Sequence, residues 1–289
     1  MPDVFLVTCE ALPEMTPDDR RLLRALHDLD VDARPAVWSD DDVDWSSAGV
    51  CIIRNTWDYY ERYPEFVRWL NTLDVPVHNP IETIRWNAEK TYLRDLHNDG
   101  LPIIDTIWVD RHETIDVGRA LDEREWPAFV IKPTVGGSAY RAHRGVRAGA
   151  ALAQDHLAVV TTDAGAMIQP FVESVLTVGE LSLIYFNGEY SHTVRKMPQA
   201  GDFRVQDEYG GSIDAVEPDA DARAIGDACA AHSTTLLSRV DLVRAADGTW
   251  RIIELELIEP ALYLEWGGDA AHRLAGAIAQ CVPEKDDRR

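Results

Sequence analysis

VDLVRAADGTWRIIELELIEP, Val240–Pro260, is the stretch whose reading decides the fold. Val240–Ala246 and Thr249–Ile258 are rich in Val, Ile and Leu. Asp247-Gly248 between them is a favoured pair for a two-residue type I′ turn, so the segment reads as a β-hairpin. With Ala246 facing Thr249, the pairing runs down to Asp241 opposite Glu254. Side chains alternate along a strand, so Glu256 shares the face of Glu254, about 7 Å further on. Three carboxylates then converge, with Asp241 and Glu254 about 5 Å apart at Cβ. Like charges directly opposed are unfavourable unless something lies between them. Val243, Trp250, Ile252 and Ile258 are expected on the same face, which argues against a wetted surface. A hard divalent cation held by oxygens would resolve the repulsion, and Mg²⁺ usually arrives with substrate phosphates. The pattern leaves a second reading open, an edge hairpin with its acids in water.

Working outward, the 289 residues can bury a sizeable core and the length suggests two or more lobes. A net charge of −22 argues against a nucleic-acid partner or an anionic membrane surface. The lysines are few (Lys90, Lys132, Lys196 and Lys285), the other cations being Arg. A chain that defaults to Arg yet keeps a Lys can need a compact point charge there, as phosphate sites do. The four cysteines, Cys9, Cys51, Cys229 and Cys281, have no metal-like or redox-like spacing, which fits core packing in a reducing cytoplasm. MPDVFLVTCE lacks signal-peptide character, and no apolar run reaches membrane-spanning length.

Before the hairpin, strands alternate with helices. Val4–Thr8, Ala33–Trp38, Val50–Arg54 and Val75–His78 read as strands, with helices over Thr16–Leu29 and Pro64–Asp74. The alternation implies a parallel, doubly wound sheet. Ligands of such sheets collect at the carboxyl ends of strands, which places Arg54, Thr56 and Asp58 at a substrate pocket. Ile81–Asn98 reads as mostly helical with Lys90 inside it. Ile103–Val109 and Ala128–Lys132 are strands flanking a short helix, Asp116–Glu125. Lys132 then enters a loop through Gly136, Gly137, Ser138 and Ala139 whose N–H groups can cradle phosphate oxygens and whose glycines permit a lid. Gly149–His156 is helical, Ala166–Phe171 a strand, and Glu180–Phe186 and Glu189–Arg195 a hairpin across Asn187-Gly188. Ala220–Ser238 and Asp269–Cys281 read as helices, and Glu284–Arg289 as a disordered tail.

In order and spacing, these pieces resemble the ATP-grasp superfamily of carboxylate–amine ligases. The resemblance spans about Asn87 to Pro260. It rests on Lys90, Lys132 before the glycine loop, Gln169-Pro170-Phe171-Val172, Gly179-Glu180, Arg195, Gly201-Asp202-Phe203-Arg204, Asp241 and Glu254-Leu255-Glu256. It implies an α/β chain of α+β lobes in the ATP-grasp fold: a pre-ATP-grasp substrate domain over residues 1–88, a central lobe over 89–172 and a C-terminal lobe over 173–289. It further implies ATP and Mg²⁺. Lys90 and Lys132 would steady the phosphates with the Gly136–Ala139 loop. Gln169–Val172 would form the adenine hinge, through the Pro170 carbonyl and the Val172 N–H, and Glu180 would meet the ribose. Asp241, Glu254 and Glu256 would bind Mg²⁺, while Arg204 and Arg195 stabilise an acyl phosphate. Many members have Glu-x-Asn where this chain has Glu254-x-Glu256, which puts the ion count and the role of Glu256 in question.

RNTWDYY near Thr56, NPIETIRWNAEKTYL and IELELIEPALYL resemble the narrower branch that contains O-ureido-D-serine cyclo-ligase of D-cycloserine biosynthesis. That implies a small amino-acid-like carboxylate substrate and antibiotic biosynthesis as the setting. The alternatives are an intermolecular amino-acid ligase and a non-catalytic ATP-binding module. Substrate stereochemistry and oligomeric state, a homodimer included, stay open.

Overall fold

The structure, a computed structural model, describes residues 1–199, 201–202, 204, 210–233 and 235–283. Phe203 and the tail from Glu284 lie outside the described residues. The first sheet comprises β1 (Val4–Thr8), β2 (Ala33–Val37), β3 (Val50–Asn55) and β4 (Val77–His78), all parallel in the order β2-β1-β3-β4. Helix α1 (Pro17–Asp28) starts where the sequence signals it: the Thr16 hydroxyl accepts from the Asp19 N–H at 3.1 Å, and Pro17 occupies the first turn. Leu22 and Leu26 of α1 pack on β1, and α2 (Tyr63–Leu70) brings Phe66 and Trp69 to the opposite face of the sheet.

α3 (Ile81–Ala88) and α4 (Tyr92–Asn98) replace the single helix expected over Ile81–Asn98. The backbone is extended at Glu89, and the Lys90 N–H donates to the Thr134 carbonyl at 2.7 Å. A contact 44 residues away in sequence therefore overrides a helical pattern that holds on both sides, and Lys90 stands in the break.

A second sheet is antiparallel throughout, in the order β5-β8-β6-β7: β5 (Ile107–Val109), β6 (Ala128–Pro133), β7 (His143–Val146) and β8 (Ala166–Pro170). Helices α5 (Val117–Glu123) and α6 (Ala150–Asp163) supply its core through Val117, Leu121, Leu157 and Val160. β7 was not expected, because HRGV carries little strand signal. Its Gly145 pairs with the fully buried Phe129, and a Cβ there would stand 2.5 Å from the Phe129 ring. Gly145→Ala is therefore expected to cost about 1–3 kcal/mol, read as a lower urea midpoint.

The third sheet, also antiparallel, runs β11-β10-β9-β12-β13: β9 (Glu180–Phe186), β10 (Glu189–Met197), β11 (Ser212–Ala215), β12 (Leu237–Arg244) and β13 (Trp250–Glu256). α7 (Ala220–Ala230) ends eight residues short of the expected Ser238, which belongs to β12. α8 (Ala270–Ala279) packs on α1, so Leu274 and Ile278 share a core with Leu22, Leu26 and Phe186. All four cysteines are free thiols, and Cys9, Cys51 and Cys229 are buried. No described helix is long and apolar enough to cross a membrane.

The decisive hairpin forms, but by a different route. Ala245 and Thr249 close a three-residue loop in which Gly248 has φ +80°, so the two-residue turn is corrected. Arg244 consequently pairs with Trp250 and Leu242 with Ile252, one residue out of the expected register. A bulge at Ile253 restores it, and Asp241 faces Glu254 as expected. The bulge also swaps faces. Trp250 and Ile252 join the core with Leu242 and Leu255, while Ile253 and Val243 lie in a separate apolar cluster with Ile104 and Val175. The expectation that Trp250 and Ile252 share the acids' face is corrected on this ground.

Candidate active site

A cleft of about 720 Å³ opens between the three sheets, a volume suited to a nucleotide with a small substrate. β12 and β13 bring Asp241, Glu254 and Glu256 to its wall, and one carboxylate oxygen from each lies within 4.8 Å of the others. β6 delivers Lys132, and the break before α4 delivers Lys90. The loop through Gly136, Gly137, Ser138 and Ala139 covers the same cleft. Gln169, Pro170, Phe171 and Val172 line it where β8 ends, as do Glu180 and Arg204. Residues far apart in sequence, singled out for one chemistry, thus share one cavity.

The polar groups hold one another in place. Lys90 Nζ lies 2.7 Å from Glu254 and donates to the Gly136 carbonyl at 2.6 Å, tying hairpin to loop. Ser138 and Ala139 have positive φ, strain kept at the turn that faces the cavity. Tyr60, from the loop after β3, packs on this loop, its ring centroid 5.1 Å from that of Tyr140. Arg204 is held by Asp202 at 2.7 Å. Val172 lines the cleft and its N–H has no acceptor among the described residues, as an adenine hinge requires. The Gln169 amide is fixed by the Thr106 hydroxyl at 3.0 Å.

Two cations missing from the sequence-based site complete it. Arg239 reaches Asp241 at 2.8 Å and Glu256 at 2.5 Å, and Lys196 pairs with Glu180 and lies 3.5 Å from Asp241. Both line the cleft and are almost fully buried. Arg239 stands two residues before Asp241 and directly across from Glu256, so strand alternation alone places it on the acids' face. The charge that Glu256 adds where many ligases have Asn is met by this guanidinium.

Arg195 is the converse. Its neighbour Lys196 faces inward, so Arg195 points to the outer side, 42% exposed and 3.5 Å from Asp214, and does not line the cleft. Its expected role beside Arg204 is corrected by that alternation. Arg54, Thr56 and Asp58 are corrected too, since none of them lines the cleft. Arg54 and Thr56 are wholly enclosed, and Asp58 accepts from the Trp38 indole at 2.7 Å. Trp57 and Tyr60, from the same loop, line the cavity instead.

Arg54 holds rather than binds. Its Nε donates to Asp19 at 2.7 Å and its Nη2 to the Pro260 carbonyl at 3.0 Å. The chain after the hairpin is captured carbonyl by carbonyl. Trp57 donates to Glu259, Arg54 to Pro260 and Arg239 to Ala261, and His192 meets both Leu262 and Tyr263. Five consecutive carbonyls outside any sheet are thus paired with side chains. This explains why RNTWDYY and IELELIEPALYL occur in one chain: each is the other's hydrogen-bond partner.

The electrostatics follow from burial and pairing. Burial pushes the Asp241 carboxyl up, but Arg239 and Lys196 outweigh it and bring it down to about 2. Burial also opposes Glu254, yet Lys90 and Lys132 hold it below the usual range. Glu256 is pushed up to about 8 by burial and by Glu254, Glu259 and Asp241, against Arg239. A carboxyl raised in the folded state is protonated there while the unfolded chain is ionised, so its contribution to stability falls as pH rises from about 4.5 to about 8. In magnesium-free buffer the wild-type Tm is expected to drop across that window. Glu256→Gln is expected to flatten the drop; an unchanged slope would remove Glu256 from the cluster.

Three hard oxygen donors this close, from three carboxylates, fit a divalent cation with phosphate oxygens completing its shell.

The chain matches known proteins over nearly its whole length. Residues 4–79 match the family model of the N-terminal domain of D-cycloserine synthetase DcsG. The cycloserine biosynthesis protein DcsG of Streptomyces lavendulae is 34% identical over 283 residues, covering 90% of this chain and 92% of that one. A crystal structure of D-cycloserine synthetase DcsG superposes with a TM-score of 0.87 at 32% identity, over 97% of this chain and 99% of that one. The ATP-grasp ligase PsnB, in complex with a precursor variant, Mg and ADP, shares the fold at a TM-score of 0.63 and 14% identity, over 98% and 99% of the two chains.

Proposed function

Because this chain belongs to the DcsG family of ATP-grasp ligases, we propose that it closes the ring of O-ureido-D-serine to give D-cycloserine at the expense of ATP. The family makes it an ATP-dependent ligase; the substrate and the residue roles are our reading. The observation that carries it is the meeting of Asp241, Glu254 and Glu256 with Lys90, Lys132 and the glycine loop in one cleft.

ATP enters with its adenine at Gln169–Val172, the Pro170 carbonyl accepting from the amino group and the Val172 N–H donating to the ring. Glu180 meets the ribose. Lys132 forms no ion pair among the described residues and burial holds its amine below the usual range, so a phosphate is the partner that completes it. Lys90, steadied by Glu254, faces the same phosphates with the N–H groups of Gly136 to Ala139. Asp241, Glu254 and Glu256 would hold Mg²⁺, which supplies charge neutralisation between the phosphates.

The γ-phosphoryl passes to the substrate carboxylate, giving an acyl phosphate and ADP. The ureido nitrogen bonded to oxygen attacks the acyl carbon, phosphate leaves and that nitrogen loses its proton. Water then removes the carbamoyl group as CO₂ and ammonia. Arg204 stabilises the acyl phosphate and the oxyanion. Nucleophile and electrophile sit on one molecule, so the cleft needs only to hold it folded, which makes closure unimolecular. Tyr60 and Tyr140 at the loop close the site against water.

The test is ADP release with O-ureido-D-serine as sole amino-acid substrate, with product identified by mass spectrometry. One ADP per D-cycloserine, with no added amine, is expected. Turnover that requires a second amine would make the enzyme an intermolecular ligase.

A further inference from the structure

Pairing governs the acids of the cleft, with one exception. Asp19 lies on Arg54, Glu180 on Lys196, Asp241 on Arg239 and Lys196, Glu254 on Lys90 and Glu256 on Arg239. Asp18 accepts from the backbone N–H groups of Leu264 and Glu265 at 2.9 and 3.0 Å. Glu259 is 9% exposed and lines the same cavity, yet among the described residues no Lys, Arg or His forms an ion pair with it. The hydrogen bond its carboxylate makes is to its own backbone N–H.

A buried carboxylate left this way is unfavourable unless it is protonated or given a cation. Burial accordingly pushes Glu259 up to about 7. Its position is nonetheless enforced: Trp57 grips its carbonyl at 3.0 Å, Arg54 the next and Arg239 the one after. A residue whose backbone is held this firmly, and whose buried carboxylate has no ion-paired cation among the described residues, is pre-organised for a ligand that brings one.

We propose that Glu259 binds the α-ammonium of the substrate, an inference that rests on the substrate being an amino acid. The place suits that chemistry. Ammonium and reacting carboxylate of an α-amino acid are one carbon apart, so the ammonium must land at the phosphate end of the cleft. Glu259 follows Glu256 by three residues, and the Ala261 carbonyl two residues on is held by Arg239, the same guanidinium that pairs with Asp241 and Glu256 at that end. Lys132 and Glu259 then take complementary parts, one meeting a phosphate and the other an ammonium.

The experiment compares wild type with Glu259→Gln, using O-ureido-D-serine and its deamino analogue, 3-(ureidooxy)propanoate. ADP release gives KM and kcat, and calorimetry gives amino-acid binding to the enzyme loaded with Mg²⁺ and AMPPNP. Glu259→Gln is expected to raise KM and Kd for the amino acid about 10–100-fold, in line with loss of a hydrogen bond between charged groups. AMPPNP affinity should stay within twofold, which also shows the variant is folded, and the analogue's KM should not change. Equal KM for the amino acid in both proteins overturns the proposal. So does a fall in kcat alone for both substrates, which would make Glu259 a proton acceptor. If wild type releases no ADP, the cyclisation reading fails, and calorimetry with a panel of α-amino acids still decides the role of Glu259. A wild-type complex that binds no amino acid overturns both.

Discussion

Glu254→Gln is expected to lower ADP formation by about 10³-fold or more while leaving the fold intact. Glu254 has two tasks in the cleft. Its carboxylate is one of three oxygens placed within 4.8 Å for a cation, and it holds Lys90 at 2.7 Å, which in turn is bound to the Gly136 carbonyl. An amide of the same size keeps the packing but has one oxygen where there were two, and no charge. Both the cation and the lysine are weakened at once, at the stage where charge on the transferring phosphoryl group must be neutralised. Lys132→Ala is expected to act as severely by another route, removing a cationic amine that forms no ion pair among the described residues. The losses should appear in kcat as well as in nucleotide affinity. Turnover within tenfold of wild type in either variant would refute the assigned roles. Thermal unfolding separates this from misfolding: Glu254→Gln loses the Lys90 ion pair, so its metal-free Tm should fall, but unfolding should stay a single cooperative transition.

Arg54→Ala is expected to act on stability instead, by about 3–5 kcal/mol. Arg54 is fully buried and its partner Asp19 nearly so. Deleting the guanidinium leaves a carboxylate without its cation and a carbonyl, that of Pro260, without its donor. It also leaves a cavity the size of an arginine between α1 and the segment after β13. The drop in Tm should be about 5–8 °C for a chain of this size. Asp19→Asn should cost less, because Asn55 and the Thr16 hydroxyl still hold that side chain. The double variant should fall well short of the sum, since the two residues form one unit. Activity will suffer in Arg54→Ala through the displaced Glu259–Tyr263 segment. A Tm within 2 °C of wild type would show that the buried pair is not what holds that segment.

Much of the site was legible because its chemistry is local to strands. Alternation and a turn signal put Asp241 across from Glu254, and the structure agrees. The agreement has an unexpected cause. The turn has three residues rather than two and the bulge at Ile253 adds one on the other strand, so two departures cancel at the acids and show only at Trp250 and Ile252. A bulge leaves no mark on a run such as RIIELE, where either phase buries an isoleucine. The same alternation, applied one step further, would have found Arg239. It also separates Lys196 from Arg195, because neighbours on β10 face opposite ways and a directly paired Glu180 marks the inward one.

What the sequence hid was non-local. The break at Lys90 depends on the Thr134 carbonyl, and the helical pattern on either side gives no warning of it. Arg54 was rightly located at the carboxyl end of β3, where such sheets bind ligands. A carbonyl 206 residues later and Asp19 on α1 claim its guanidinium first. The tryptophan and tyrosine that do reach the cleft, Trp57 and Tyr60, stand in the same loop on the turn that follows. The parallel strands β1 to β4 were plain in pattern, while β7 and β11 are short, polar edges with no periodicity to read.

The central claim is that Asp241, Glu254 and Glu256 hold a divalent cation against the phosphates that Lys90 and Lys132 steady. Electron paramagnetic resonance of Mn²⁺ tests it most directly, titrated into wild type and Asp241→Asn with AMPPNP present. Wild type should bind Mn²⁺ far more tightly with the nucleotide than without it, and the variant should lose most of that gain. Equal Mn²⁺ affinity in the two proteins, or binding indifferent to AMPPNP, would contradict the account.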